Sequence, residues 1–269
     1  MARPFVLVVT GCGINCEEET AHAFNAAGAS PRVVHINDII ESPRLLEECQ
    51  IVSFPGGFSY GDDTGSGRAL ANRIKNNLVD ELHGFLERDT LMLGICNGFQ
   101  VMVNLGIVPA LNSPMGESEA ALEKNGTARY QCRWVDLEVN PASPCVFTRG
   151  LRRLHIPVAH GEGNFYAKPG ILDSIEKKNI AVMRYVKPDG SPAGGEFPYN
   201  PNGSLNDIAS ICDESGRRMG MMPHPERNIT LTQRDDWTLV LEKAKRDGAH
   251  VSEESDGMAI FKNAVKYFE

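Results

Sequence analysis

Residues Gly94-Ile95-Cys96-Asn97-Gly98 place a thiol between two glycines where an apolar run gives way to a helical pattern. This is the form of a nucleophile elbow with sulfur in place of a hydroxyl. So tight a strand-to-helix turn forces neighbouring backbones together, and glycine on each side removes the Cβ atoms that would collide. The helix that follows aims unpaired N–H groups and a partial positive charge at the sulfur, which favours thiolate over thiol. It also points the Asn97 amide at whatever oxygen gains charge during attack. A lone cysteine is more often simply buried, but the glycine bracket and its setting favour a nucleophile here. Cys12, Cys16, Cys49, Cys132, Cys145 and Cys212 lack that setting and read as structural. Cys12 and Cys16 are four apart with no matching Cys/His pair nearby, so no metal site is expected.

A thiol nucleophile needs a proton acceptor that later acts as acid, and histidine suits that role near neutral pH. Among the seven histidines, His224 stands out in Met221-Met222-Pro223-His224-Pro225-Glu226-Arg227, directly after an apolar run. Its two flanking prolines stiffen the loop. Glu226 is placed to accept a hydrogen bond from one ring nitrogen, which holds the tautomer whose other nitrogen faces the sulfur. By itself Pro-His-Pro-Glu reads equally well as a rigid solvated turn; beside the elbow it reads as base and orienter. His160, in His160-Gly161-Glu162-Gly163-Asn164-Phe165, is the rival base. The glycines around it suggest a loop that approaches a ligand closely, so His160 and Gly161 are assigned to binding.

A tetrahedral intermediate calls for two preorganised donors, each often worth about 3–4 kcal/mol when deleted. The Asn97 amide is one. Pro55-Gly56-Gly57-Phe58-Ser59-Tyr60-Gly61-Asp62 follows another apolar run, and the Gly57 N–H is the natural second. A phosphate cradle would need Gly-Lys-Ser/Thr, which does not follow, and Asp62 and Asp63 repel phosphate. A plain turn is the bland alternative.

The elements that must carry these groups alternate. Strands are expected over 5–10, 32–36, 50–54 and 90–95. A helix capped by Asn15, with Glu17, Glu18 and Glu19 in its first turn and Gly28 as its stop, lies between the first two. Helical stretches cover 67–88 and 98–105. This alternation predicts right-handed parallel crossovers and an α/β fold: an open, mostly parallel sheet flanked by helices. Cys96 and His224 would then share the carboxyl edge of the sheet. Additional strands are expected in the second half, over 134–139, 154–159, 180–185, 208–213 and 219–222. Residues 188–206 are crowded with Gly, Pro and Asn and read as loop. Phe261, Val265 and Phe268 form a helical stripe that predicts core packing.

The chain has 269 residues and a net charge of −8, which argues against a nucleic-acid binder. One domain spanning 1–269 is expected, since no linker, repeat or low-complexity tract interrupts it. The opening apolar run is too short for a membrane span, and an odd, scattered set of seven cysteines fits a reduced, cytoplasmic protein.

These motifs together resemble the class I (triad) glutamine amidotransferases, whose fold is flavodoxin-like. The blocks Pro55–Asp62, Gly94–Gln100, His160–Gly163, Asn200-Pro-Asn-Gly-Ser204 and Met222–Arg227 are most similar to the glutaminase subunits of phosphoribosylformylglycinamidine synthases. The resemblance implies that Cys96 forms a γ-glutamyl thioester, that His224 and Glu226 complete the triad, and that Gly57 and Asn97 supply the oxyanion amides. It implies that Gln100 contacts glutamine and that the His160–Phe165 loop lines the pocket. It also implies ammonia transfer to a large synthetase subunit, with a small third subunit, and ATP and Mg in that partner rather than in this chain. Asn164 departs from the basic residue common at its position, and segments 113–131 and 234–256 lengthen the compact version of the family. Competing readings are a glutaminase of another amidotransferase, a cysteine peptidase or thiol-stress protein of the same superfamily, and a non-catalytic glutamine sensor or scaffold.

Overall fold

The computed structural model describes residues 3–62, 65–112 and 114–269, so Asp63 and the first residue of the 113–131 segment lie outside the described residues. The first half runs β1 (Phe5–Thr10), α1 (Glu17–Ala26), β2 (Ser30–His35), α2 (Ile36–Glu41), α3 (Leu45–Glu48), β3 (Ile51–Phe54), α4 (Arg68–Asn77), α5 (Val79–Glu87), β4 (Leu91–Ile95) and α6 (Asn97–Leu105). The second half runs β5 (Ala120–Glu123), β6 (Gln131–Val139), β7 (Arg153–His160), β8 (Asn164–Ala167), α7 (Pro169–Lys177), β9 (Ala181–Val186), β10 (Ile208–Cys212), β11 (Arg218–Met221), α8 (Trp237–Asp247) and α9 (Met258–Lys266).

Nine strands form one sheet in the order β2-β1-β3-β4-β11-β10-β9-β6-β7. The β2-β1-β3-β4-β11 part is parallel, as the alternation requires, while β10, β9, β6 and β7 add on antiparallel. Every residue of β3, β4, β10 and β11 is buried, which is why these strands read as mainly apolar rather than as alternating. Fully covered side chains such as Leu7, Ile51 and Leu93 each contribute about 2 kcal/mol of burial. β5 and β8 pair separately, antiparallel, across the end of α6.

Several expectations are corrected. Asn15 does not cap α1: Cys16 holds that position, without a side-chain cap bond, and its thiol donates to Asn15 Oδ1 at 3.3 Å. The three glutamates of the first turn still face the unpaired N–H groups. Gly28 does end the helix, at φ 102°, with the Ala29 N–H bonded to the Phe24 carbonyl. Ile36 begins α2 instead of ending β2, and the helical stretch 67–88 is two helices broken at Leu78. The short α2, α3, β5 and β8, and α7, have no counterpart in the sequence reading. Residues 188–206 are irregular, as expected, apart from a short helical turn starting at Leu205. The C-terminal stripe packs as expected: Phe261 meets Phe24 edge-on at 4.9 Å, Val265 is buried and Phe268 lies against the core.

The 234–256 segment is different in kind. No residue of α8 is buried, and Trp237, Leu239 and Leu241 are exposed. Among the described residues, no helix is long and apolar enough to cross a membrane.

Candidate active site

β3, β4 and β11 are consecutive neighbours in the parallel part of the sheet, so the loops leaving their carboxyl ends emerge side by side. β3 delivers the glycine loop, β4 delivers Cys96 and β11 delivers His224. The sheet order therefore gathers three segments that are far apart in sequence.

Cys96 sits at φ 51°, ψ −106°, a strained conformation for a residue with a Cβ. The turn is as tight as the glycine bracket requires. A Cβ on Gly98 would collide with the Phe54 carbonyl, and one on Gly94 would come within 2.7 Å of the Gly98 carbonyl. The sulfur is nearly buried and donates to the Ala159 carbonyl at 3.7 Å. α6 begins at the next residue, so its first N–H groups have no helical partner and face the sulfur.

His224 Nδ1 and Glu226 Oε1 are 2.5 Å apart, both side chains fully enclosed. Burial alone pushes the imidazole's proton affinity down. The Glu226 carboxylate and the Cys96 sulfur push it further up, and the net position is well above the ordinary histidine value. With Nδ1 engaged by the carboxylate, Nε2 is left buried without a hydrogen-bond partner among the described residues. The pair thus has the geometry of an oriented base with one nitrogen to spare.

On the glycine loop, Gly57 adopts φ 149° and a Cβ there would press on Ile14 Cα at 2.7 Å. Its neighbours make the bridge to the segment before α1, through Phe58 N to Gly13 O and Asn15 N to Gly56 O. The Gly57 N–H takes no part in those bonds. Tyr60 and Asp62 are also left-handed, at φ 55° and 57°. Asn97 pins this loop to α6: its Oδ1 accepts from Ser59 N at 3.2 Å, and its Nδ2 donates to Asp62 at 3.3 Å and to Gln100 Oε1 at 2.8 Å.

Gln100 is locked at both ends, since its Nε2 also donates to the Glu162 carbonyl at 2.5 Å. It lies in the wall of a cavity of about 560 Å³ that also meets Ser66, Arg68, Asn104 and Glu162. Cys96 and His224 do not line that cavity. His160 is buried, with Nδ1 on Asn125 Oδ1 at 3.1 Å and Nε2 facing Asn202 Nδ2 at 3.4 Å. Burial, and then the charge of His224, lower its pKa to about 3, so it stays neutral and holds the loop rather than shuttling protons. Gly161 follows it, its carbonyl taking the Asn125 N–H and the Tyr130 ring lying over it. Asn164 pairs with Glu123 across β8 and β5 and lies beside Gly203.

The sequence reading missed Asn125, Asn202, Tyr185 and Tyr130. Asn202 donates to Tyr185 Oη at 3.1 Å and backs His160. Tyr130 is half exposed and stands 6.3 Å from Phe58, ring to ring, beside the thiol. The only available signal was indirect: Asn202 lies in the Asn200–Ser204 block, and Asn125 and Tyr130 lie in the 113–131 segment.

Residues 3–268 match the family model of a CobB/CobQ-like glutamine amidotransferase domain. The chain is 51% identical over 266 residues to phosphoribosylformylglycinamidine synthase subunit PurQ of Methanococcus maripaludis, which covers 98% of this chain and 97% of the relative. It is 43% identical over 268 residues to the subunit of the same name from Dehalococcoides mccartyi, covering 99% and 98% of the two chains. A solved structure of PurLQS from Thermotoga maritima superposes over 99% of this chain and 100% of that one, with a TM-score of 0.71 and 29% identity.

Proposed function

The chain belongs to the CobB/CobQ-like glutamine amidotransferase family, and we propose that it is the glutaminase subunit of a phosphoribosylformylglycinamidine synthase. It hydrolyses glutamine to glutamate and ammonia and supplies that ammonia to de novo purine synthesis. The observation that carries the chemistry is the strained Cys96 at the head of α6, with the His224–Glu226 pair on the neighbouring strand's loop.

In this reading the Cys96 thiolate attacks the side-chain amide carbon of glutamine. The amides of Gly57 and Asn97 receive the oxyanion, and protonated His224 gives its proton to the departing ammonia. Neutral His224 then takes a proton from water as it attacks the thioester, releasing glutamate and restoring the thiolate beside the protonated imidazole. Glu226 keeps the imidazole in one tautomer throughout. Gln100, His160 and Gly161 shape the glutamine pocket, the first two by fixing the loop between them.

The likeness to PurLQS supports association with synthetase subunits. We assign ATP and Mg to a large synthetase partner and expect a small third subunit. A single amidotransferase domain acting in the cytoplasm, without nucleic-acid or membrane partners, completes the reading. Water must be kept from the ammonia path, so glutaminase activity is expected to be low until the partner docks.

Replacing Cys96 with Ala in the reconstituted complex is expected to abolish glutamine-dependent synthesis while sparing synthesis from added ammonia. Equal loss of both in a folded variant would refute this division of labour.

A further inference from the structure

The Glu226 carboxylate is fully enclosed, and its Oε2 has no hydrogen-bond partner among the described residues. A buried carboxylate is costly without a countercharge. Among the described residues, the only cation besides His224 within ion-pair reach of it is Arg227, whose Nε lies 3.9 Å from Oε1. At that distance nothing in the carboxylate itself fixes the guanidinium. Arg227 is a long side chain, 37% exposed, with rotamers that reach into water.

What fixes it is a sulfur. Arg227 Nη2 donates to Cys16 Sγ at 2.9 Å, and Glu19 on α1 faces Nε from the outer side at 3.9 Å. Cys16 is wholly buried and rigidly held. Its N–H bonds to the Gly56 carbonyl at 3.3 Å, and its carbonyl takes both the N–H and the hydroxyl of Thr20. The thiol, His224 and Glu226 each present a ligand-type atom within 4.8 Å of the others, a set that attracts a cation. The cation facing that set is the guanidinium. Gly56 makes room for the arrangement, since a Cβ there would lie 2.7 Å from His224 Cε1 and 3.1 Å from the Cys16 sulfur.

We propose that Cys16 is a positioning residue for the glutaminase reaction: it holds Arg227 beside Glu226 and so tunes the proton affinity of His224. The inference rests on the reading of Cys96, His224 and Glu226 as the catalytic set. The titratable and charged groups facing His224 are Glu226 and Arg227 on its own loop, Cys96 from the β4–α6 turn, Cys16 from the start of α1, His160 from β7 and Tyr130 from the stretch before β6. Three of them, Glu226, Cys96 and Cys16 itself, favour the imidazolium. Arg227 opposes it. With the guanidinium gone, the imidazolium holds its proton to higher pH. The limb of the activity profile set by His224 therefore moves upward.

The test follows alkylation of Cys96 by a glutamine analogue carrying a diazoketone, read by mass at the Cys96 peptide across pH, in the full chain. Arg227→Gln is expected to move the profile upward by about half a pH unit, and Cys16→Ala, which frees the guanidinium but also removes the thiol's own contact with the imidazole, is expected to move it less far. The double variant is expected to move it no further than either single one. Cys16→Ser, whose hydroxyl oxygen still accepts from the guanidinium, is expected to keep the wild-type profile. An unmoved profile in Arg227→Gln overturns the proposal, as does an additive shift in the double variant. Should Cys16→Ala not fold, Arg227→Gln decides, because an unmoved profile there removes the charge effect that Cys16 is said to deliver. Failure of the wild-type chain to label at Cys96 overturns instead the catalytic assignment on which the inference stands.

Discussion

Two histidines in this molecule are held by carboxylates, and the contrast between them separates catalysis from attachment. His224 meets Glu226 at 2.5 Å with 2% and 0% of the two side chains exposed. His155, on β7, lies between Asp136 at 3.2 Å and Asp235 at 3.1 Å, with exposures of 22%, 27% and 47%. Both imidazoles have raised proton affinity, in each case because carboxylates outweigh the penalty of burial. At His224 no water can replace the carboxylate, so the contact fixes ring orientation and charge together. At His155 water competes with each partner, and the contacts tie the 234–256 segment to the sheet, together with the bond from the His155 N–H to Asp256 at 2.7 Å; Arg234 pairs with Asp236 and Asp256 within the segment. Histidine held by carboxylate does chemistry in one place and tethering in the other, and burial is what distinguishes them.

The strongest way to break this contrast is to neutralise each carboxylate without changing its shape. Glu226→Gln keeps an acceptor for Nδ1 but removes the charge and allows the wrong tautomer. Glutaminase kcat in the docked complex is expected to fall by about 10²–10⁴-fold. Asp136→Asn and Asp235→Asn together are expected to leave kcat within about twofold, because exposed pairs carry little energy. Comparable losses from both experiments would erase the distinction.

The contrast also marks what the sequence makes legible. Cys96 announces itself because its geometry is local: the glycines that permit the turn are two residues away on either side. Glu226 is visible for the same reason, as orienter and base share one short loop. The parallel half of the sheet follows from buried strands that read as mainly apolar runs. Cys16 is invisible by such means. It looks like any buried cysteine until β1 takes its place beside β3 and brings residue 16 against residue 227. Asn125 and Asn202 are hidden similarly, each lying in a polar stretch whose partner, His160, is supplied by the fold. Asn15 was misplaced as a cap by one residue because cap preference identifies a residue type, and the backbone decides which neighbour occupies the position. Nothing in residues 237–247 shows that α8 stays outside the core, since its apolar residues are spaced as a buried helix would space them.

A smaller effect sharpens the comparison through pH. The folded His155 binds its proton more tightly than an unfolded histidine does, so its contacts stabilise fully below the unfolded pKa of about 6.5. That contribution, at most about 1 kcal/mol, is lost as pH rises through the raised folded value. Hydrogen-exchange protection in 234–256, measured relative to the base-catalysed intrinsic rate, should therefore fall over that interval, and His155→Ala should remove that pH dependence. Trp134 stacks on the His155 ring at 5.1 Å, so its fluorescence is expected to follow the same titration. Protection that ignores pH in the wild-type chain would show that the tether does not depend on this proton.

Salt gives the smallest and most selective effect. The contacts of His155 and Arg234 are reached by water, and their mutual attraction is screened once the Debye length shrinks from about 10 Å at 0.1 M to about 3 Å at 1 M. Raising ionic strength across that range should loosen the 234–256 segment by a few tenths of a kcal/mol, about the energy of an exposed pair, seen as faster exchange at pH values where His155 is protonated. The enclosed His224–Glu226 pair admits no counterions, so the pH profile of Cys96 alkylation should keep its position over the same range. A profile that moves with salt as far as the tether does would mean that solvent reaches the catalytic carboxylate, and burial would no longer explain why one histidine is a base and the other an anchor.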